Sequence, residues 1–467
     1  MVFSSLVFIF RFLPVFLLIY YLVPHRIKNL VLLLGSLCFY AYGEPKFLIL
    51  LLLSVLVNFK ISHFIERFAY NKEFRKLCLI IGLTYNFGFL IFFKYINFMI
   101  GNLNYMFKGL GEGHIISPLA VGLPLGISFY TFQIVSYLLD VYKKEIRAER
   151  SLYGLALYIC MFPQLISGPI VKYSEIRPQL TNRQNTLANL EQGFKIFTIG
   201  LGFKVLLANR IGILWNDVQT IGFESISTPL AWLGAIGYSL QLYFDFYGYS
   251  LMAIGVGKMI GFTLPDNFDH PYISKSVSEF WRRWHMSLGR WFRNYIYIPL
   301  GGNRRSKTRV ALNLFIVWMF TGIWHGANWN FVLWGLLLFL LIYFEKMFLK
   351  KYLDKSNILS RIYILLIMPV SWMLFAIPSL PEIGVYLGRM FGITQGIAVN
   401  SQDFIKYLST YKLYFLLGIF FCMPFGWKAF KKYEKTVLCA LILFVIFWYA
   451  IYQLANGLNN PFLYFNF

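Results

Sequence analysis

Apolar runs of spanning or near-spanning length recur along the whole chain, and they limit its fold more than any other feature. They fall at residues 6–23, 47–59, 77–93, 230–243, 331–343, 362–376 and 437–454. A helix needs about 20 apolar residues to cross the hydrocarbon core, so several of these runs are short or interrupted. With 58% hydrophobic and only 13% charged residues over 467 positions, a soluble globular chain is excluded. The pattern predicts an all-α polytopic membrane protein of roughly 11 spans, because only helices satisfy the backbone of apolar segments of this length within lipid. The run at 6–23 reads as a first span rather than a signal peptide, since no basic leader or small-residue cleavage site frames it.

The formal charge of +23 does not mark a nucleic-acid binder. The basic residues gather in short loops, among them Lys143, Lys144, Arg147 and Arg150, and Arg304, Arg305, Lys307 and Arg309. Cytoplasmic loops of membrane proteins carry this excess, so the charges report orientation. On that rule 304–309, 346–361 and 428–435 lie inside. The chain between the first two goes out and returns as a hairpin whose turn holds TGIWHGANWN. The run 362–376 then exits, 414–425 returns and 437–454 exits again. An extracytoplasmic loop is expected near 378–412, and the closing NNPFLYFNF is expected outside the cytoplasm. No fixed-period repeat or Pro/Gly/Ser-rich linker divides the chain, so residues 1–467 read as one membrane domain.

The remaining motifs narrow the chemistry. Cys38, Cys78, Cys160, Cys422 and Cys439 are scattered through apolar stretches without C-x-x-C spacing, and read as inert. No metal site is expected, nor is there a G-x-S-x-G elbow, an H-E-x-x-H or a P-loop. GVGKMIG at 255–261 lacks dinucleotide-binding spacing and reads as small-residue helix packing. Asp245, inside an apolar stretch, reads as a buried carboxylate that orients a histidine or a basic group. His25 and His63 sit near span ends, and His114 and His270 in Gly- or Pro-flanked loops.

His285 and His325 differ. Read as one helix, SEFWRRWHMSLGRWFRNYIY aligns Trp281, Trp284, His285, Leu288, Phe292 and Tyr295 on one side. Arg282, Met286, Arg290 and Arg293 fall on another. Such a helix could lie in the membrane interface, yet a histidine on its apolar side needs a polar partner or a function. His325 follows an apolar run, 310–324, that is too short to cross the core, so its imidazole is expected within membrane depth. Ionisable groups there are costly and usually line a functional path, although a satisfied structural histidine fits the pattern too.

FDFYGYSLMAIGVGKMIGF, NFDHPYISKSVSEFWRRWHMSLGRWFRNYIYIPLGGNR and FTGIWHGANWNFVLWG together resemble the membrane-bound O-acyltransferase (MBOAT) family. Within it, IYIPLGGNR and GIWHGANW are most similar to the alginate-type branch, the membrane subunit of alginate O-acetylation. The resemblance implies a ring of helices around a central funnel and a catalytic segment at 280–335. It implies His325 as the catalytic histidine and His285 as the second active-site histidine. NNPFLYFNF also fits an F-x-Y-F-x-F pattern known from the small partner peptide of teichoic acid D-alanylation. That likeness makes 456–467 an extracytoplasmic acyl-acceptor tail, with Tyr464 as transient acyl carrier. The tail's phenylalanines could otherwise be interfacial anchors.

A phenol relay is chemically sound. A thiol has a pKa of about 8.5 and a phenol about 10, so an aryl ester keeps most of a thioester's transfer potential. The expected reaction takes acetyl from cytoplasmic acetyl-CoA, with no permanently bound cofactor, toward a cell-envelope polysaccharide. Arg304, Arg305, Lys307 and Arg309 would receive the donor's phosphates. An extracytoplasmic SGNH-type acetyltransferase would complete the transfer, and the resemblance implies a bacterial cytoplasmic (inner) membrane with the C-terminus outside. D-alanyl transfer to teichoic acid is the alternative within the family. A transporter or channel with His325 in a proton or ion path is the alternative of another class.

Overall fold

The structure is a computed structural model that describes residues 1–109, 115–166, 168–457 and 463. Every regular element among them is helical. Among the described residues, seven helices are long and apolar enough to cross a membrane: Pro45–Arg67, Lys72–Gly109, Leu187–Ile221, Trp329–Leu353, Asn357–Ala376, Asp403–Cys422 and Val437–Ala455. Phe8–Leu22 is apolar but shorter. Roughly 11 spans were expected from the sequence; beyond these seven, His25–Gly43, Thr228–Met259 and Lys307–His325 are further long helices among the described residues.

The chain divides into two compact units, one formed by Met1–Phe194 with Ala253–Pro265 and the other by Lys195–Met252 with the residues from Asp266 onward. In the first unit, Pro45–Arg67 and Lys72–Gly109 are joined by a reciprocal amide pair. Asn58 Nδ2 donates to Asn86 Oδ1 at 3.1 Å, and Asn86 Nδ2 returns the bond to Asn58 Oδ1 at 2.7 Å. Both side chains are buried, and such pairs hold helices together where lipid supplies no hydrophobic drive. Gly193 meets the backbone of Gly255, where a Cβ would stand 2.5 Å from the carbonyl oxygen. The GVGKMIG stretch is therefore a helix-crossing surface.

The second unit carries Asp245, His285 and His325. Four helices matter most: α1 Thr228–Met259, which belongs to this unit as far as Met252, α2 Lys307–His325, α3 Trp329–Phe344 and α4 Asn357–Ala376. Helices α2 and α3 form the expected hairpin, and Gly322 and Gly335 let them cross closely. A Cβ at Gly322 would lie 2.4 Å from Phe331 O, and one at Gly335 would lie 2.6 Å from Trp318 O.

Two expectations about local structure are corrected. The stretch around His285 is not one helix. Val277–Arg283 ends at Trp284, His285 takes a left-handed conformation (φ 44°), and Met286–Phe292 starts a new helix. The expected loop at 378–412 contains the helix Leu380–Met390 and the first turns of Asp403–Cys422. The sequence there is mixed in polarity, and the apolar side of Leu380–Met390 buries Ile383 and Tyr386.

Candidate active site

Of the five described histidines, only His285 and His325 are buried; His114 lies outside the described residues. Burial therefore separates the same two that sequence context had separated.

His325 is the last residue of α2. Its ring is boxed edge-on by Trp324 at 4.9 Å, Trp334 at 5.0 Å and Phe375 at 5.2 Å between centroids. The GANWN residues that follow are fasteners. Asn328 Oδ1 accepts the N–H of Trp329 at 2.7 Å, which starts α3, and its Nδ2 donates to Pro378 O at 3.3 Å. Asn330 Nδ2 donates to Leu374 O and Phe375 O, both at 3.1 Å, using carbonyls that α4 leaves unpaired at its C-terminus. The turn is thereby tied to the end of α4, and Phe375 is held against the imidazole.

His285 is placed by the break in its helix. Asn267 O accepts the N–H of Met286 at 2.9 Å, and Asp269 N–H donates to Arg283 O at 3.0 Å, so residues 267–269 brace the chain on both sides of the break. Asn267 Oδ1 accepts the N–H of Ser287 at 3.2 Å and stands 3.3 Å from His285 Nδ1. A backbone N–H identifies that side-chain atom as oxygen, so Nδ1 must carry the hydrogen and Nε2 is the ring's acceptor. Burial pushes this imidazole down to about 3, which keeps it neutral. Phe246 packs edge-on against the ring at 4.7 Å.

Trp324 links the two histidines, with its ring centroid 6.3 Å from His285 and 4.9 Å from His325. Further aromatic packing fixes both flanks. Trp281 meets Trp318 at 5.2 Å and Trp334 at 5.4 Å, and Trp284 meets Trp372 at 4.9 Å. The apolar side of 281–295 is thus core, while Arg282, Arg290 and Arg293 stay exposed. Glu345, directly after α3, fastens the start of this segment. Its carboxylate accepts the N–H groups of Val277 and Ser278, the latter at 3.0 Å, where a helix N-terminus favours negative charge.

A cavity of about 580 Å3 opens beside the hairpin turn. Gly326, Ala327, Asn328 and Asn330 line it together with Asn209, Trp215, Tyr238 and Gln241. Leu463 lines it as well. Its N–H donates to Asp245 Oδ2 at 2.9 Å, and Asp245 Oδ1 pairs with Lys204 Nζ at 2.5 Å. Asp245 therefore orients a basic group, not a histidine. Tyr464 lies outside the described residues.

Arg304, Arg305, Lys307 and Arg309 are all exposed. Arg305 and Arg309 flank a surface depression with Pro299 and Leu300. The preceding turn uses Gly301 (φ 107°) and Gly302 (φ 54°), conformations that favour glycine, and Asn313 of α2 holds it through Gly302 O at 3.2 Å. Among the described residues no three of His, Cys, Asp and Glu gather as metal ligands.

Sequence reasoning missed Asn267, Trp324, Glu345 and Lys204. NFDHP and IWHG contain the first two, but nothing in their local spacing pairs them with a histidine. Glu345 and Lys204 are charges at or within apolar stretches, a signal that marks cost without naming a partner.

Comparison with known proteins adds a sequence-wide likeness. The sequence model of the MBOAT, membrane-bound O-acyltransferase family, matches residues 38–380. The probable alginate O-acetylase AlgI of Pseudomonas putida is 35% identical over the full length of both chains. That of Pseudomonas syringae pv. tomato is 39% identical over 84% of this chain and 75% of its own. The peptidoglycan O-acetyltransferase of Helicobacter pylori is 39% identical over 72% of this chain and 69% of its own.

Proposed function

Given that the chain belongs to the membrane-bound O-acyltransferase family and is a multi-pass membrane O-acyltransferase, we propose that it moves acetyl from acetyl-CoA to Tyr464 for O-acetylation of a cell-envelope polysaccharide. The observation that carries this reading is one cavity with two neighbours of the chemistry on its wall. Gly326 follows His325 in the chain, and Leu463 precedes Tyr464.

In the proposed reaction, His325 takes the proton of the Tyr464 phenol as its oxygen attacks the thioester carbonyl. The C–S bond breaks, the thiolate of coenzyme A leaves and the proton returns to it. Tyr464 then holds the acetyl group as an aryl ester. A polysaccharide hydroxyl takes it in a second transfer that regenerates the phenol, with an extracytoplasmic SGNH-type enzyme as the expected partner. The neutral imidazole of His285, with Nδ1–H committed to Asn267, has an acceptor at Nε2. That suits positioning the donor through one of its own N–H or O–H groups better than polarising a carbonyl. Arg304, Arg305, Lys307 and Arg309 would meet the donor's phosphates on the cytoplasmic face of the inner membrane, with the tail on the opposite face.

The family assignment removes the ground for a transporter. Identity to alginate and peptidoglycan O-acetyltransferases over most of the chain favours acetyl over D-alanyl as the group moved. Tyr464→Phe tests the relay, because it removes one oxygen and keeps the ring. Polymer acetylation should vanish, and mass spectrometry of the C-terminal peptide should find an acetyl increment in the wild type alone. Undiminished acetylation in the variant would leave Tyr464 as an anchor.

A further inference from the structure

The Lys204–Asp245 pair is buried, with side chains 1% and 3% exposed. It is built by two local devices. Phe203–Ala208 forms a π turn that the N–H of Asn209 closes onto Lys204 O. Residues five apart come together there, and Lys204 Nζ donates to Asn209 Oδ1 at 2.8 Å. Gly200 and Gly248 then let this helix approach α1. A Cβ at Gly248 would lie 2.6 Å from Gly200 O and 2.9 Å from Lys204 N.

A buried ion pair is a poor way to join two helices, because apolar residues of similar volume do so without the desolvation cost. Such a pair calls for a use. Asp245 Oδ1 faces the ammonium, while Oδ2 accepts the N–H of Leu463, which is 218 positions away in sequence. Leu463, Asn209 and Gly326 all line the same cavity. The carboxylate is thus shared between a fixed cation and the backbone of the C-terminal segment.

We infer that the Lys204–Asp245 pair is the seat of Leu463: Lys204 holds the Asp245 carboxylate in place, and Asp245 grips the Leu463 amide, one residue before the proposed acceptor Tyr464. The inference deepens the relay reading and rests on it for its catalytic consequence. Lys204 and Asp245 are positioning residues, since neither touches the reacting atoms. A hydrogen bond to one backbone amide is independent of the side chains around it.

Two charge-neutral double variants test the seat without stranding a buried ion. Lys204→Met with Asp245→Asn keeps an acceptor oxygen, whereas Lys204→Met with Asp245→Leu has none. In carboxypeptidase digestion of the purified full chain, trimming should halt short of Leu463 in the wild type and in the Asn variant. It should pass Leu463 at least tenfold faster in the Leu variant. The same Leu variant should lose about tenfold in kcat relative to the Asn variant, with donor KM held. A Leu variant whose tail is as protected as the wild type's would overturn the inference. A freed tail with undiminished transfer would keep the seat and sink Tyr464 as carrier, so the two failures are distinct. If the Leu variant does not fold, hydrogen exchange on the unaltered protein decides: the Leu463 amide should exchange slowly, and exchange at the rate of a free peptide would refute the seat.

Discussion

Asn267 Oδ1 lies 3.3 Å from Nδ1 of His285 while accepting the N–H of Ser287, and that double engagement fixes the tautomer of a buried imidazole. The side chain also holds the break between two short helices, so its loss acts on both placement and protonation.

Asn267→Ala should leave the protein inserted but slow acetyl transfer. An unpaired buried N–H costs about 1–3 kcal/mol, which corresponds to about five- to 150-fold if the transition state bears it. Asn267→Asp keeps the acceptor and adds a carboxylate beside the ring. Opposite charge favours the charged imidazole, so its pKa rises from the low value that burial imposes. The acid limb of the pH–rate profile should then move to higher pH than in the wild type. An unshifted profile would show that His285 does not govern turnover.

His325→Ala removes the proposed base from its aromatic box. The variant should stay folded, because Trp334 and Phe375 retain their own contact at 5.1 Å. Turnover in liposomes supplied with acetyl-CoA should drop by about two to four orders of magnitude. Near-normal turnover in a folded variant would remove this histidine from the mechanism.

Gly326→Ala tests the packing of the cavity wall. The residue is extended (φ −167°), so alanine strains no backbone angle, but its Cβ would lie 2.1 Å from the Phe331 ring. Phe331 is buried and packs on Phe375, which leaves the ring little room to yield. Overpacking of this kind costs about 1–3 kcal/mol. A lowered melting temperature and weaker transfer are expected, with recovery when Phe331→Leu is combined with it. Absence of recovery would place the defect elsewhere.

Arg305→Gln with Arg309→Gln addresses the donor. If these exposed side chains meet phosphates, donor KM should rise several-fold at low ionic strength while kcat holds. The dependence of KM on salt should flatten. An unchanged KM in a correctly inserted variant would leave the loop with orientation alone.

Much of this protein is determined by its sequence. Apolar runs at 47–59, 77–93 and 437–454 can satisfy their backbone in lipid only as helices, whatever surrounds them. The hairpin at TGIWHGANWN follows from two apolar runs separated by a short polar turn, and it is found at that place. His285 and His325 were recognisable because a histidine amid tryptophans and leucines is costly, and cost is a local property.

What tertiary structure decided is pairing. No periodicity tells that the run around Trp284 breaks at His285, because the break is held by Asn267, 18 positions earlier. Asp245 was readable as a buried carboxylate, yet its cation, Lys204, and the Leu463 amide lie 41 positions before it and 218 after. Sequence patterns report whether a side chain can afford to leave water. Which groups replace that water depends on helix crossings set by contacts between distant residues, such as Gly200 against Gly248, and those exist only in the folded chain.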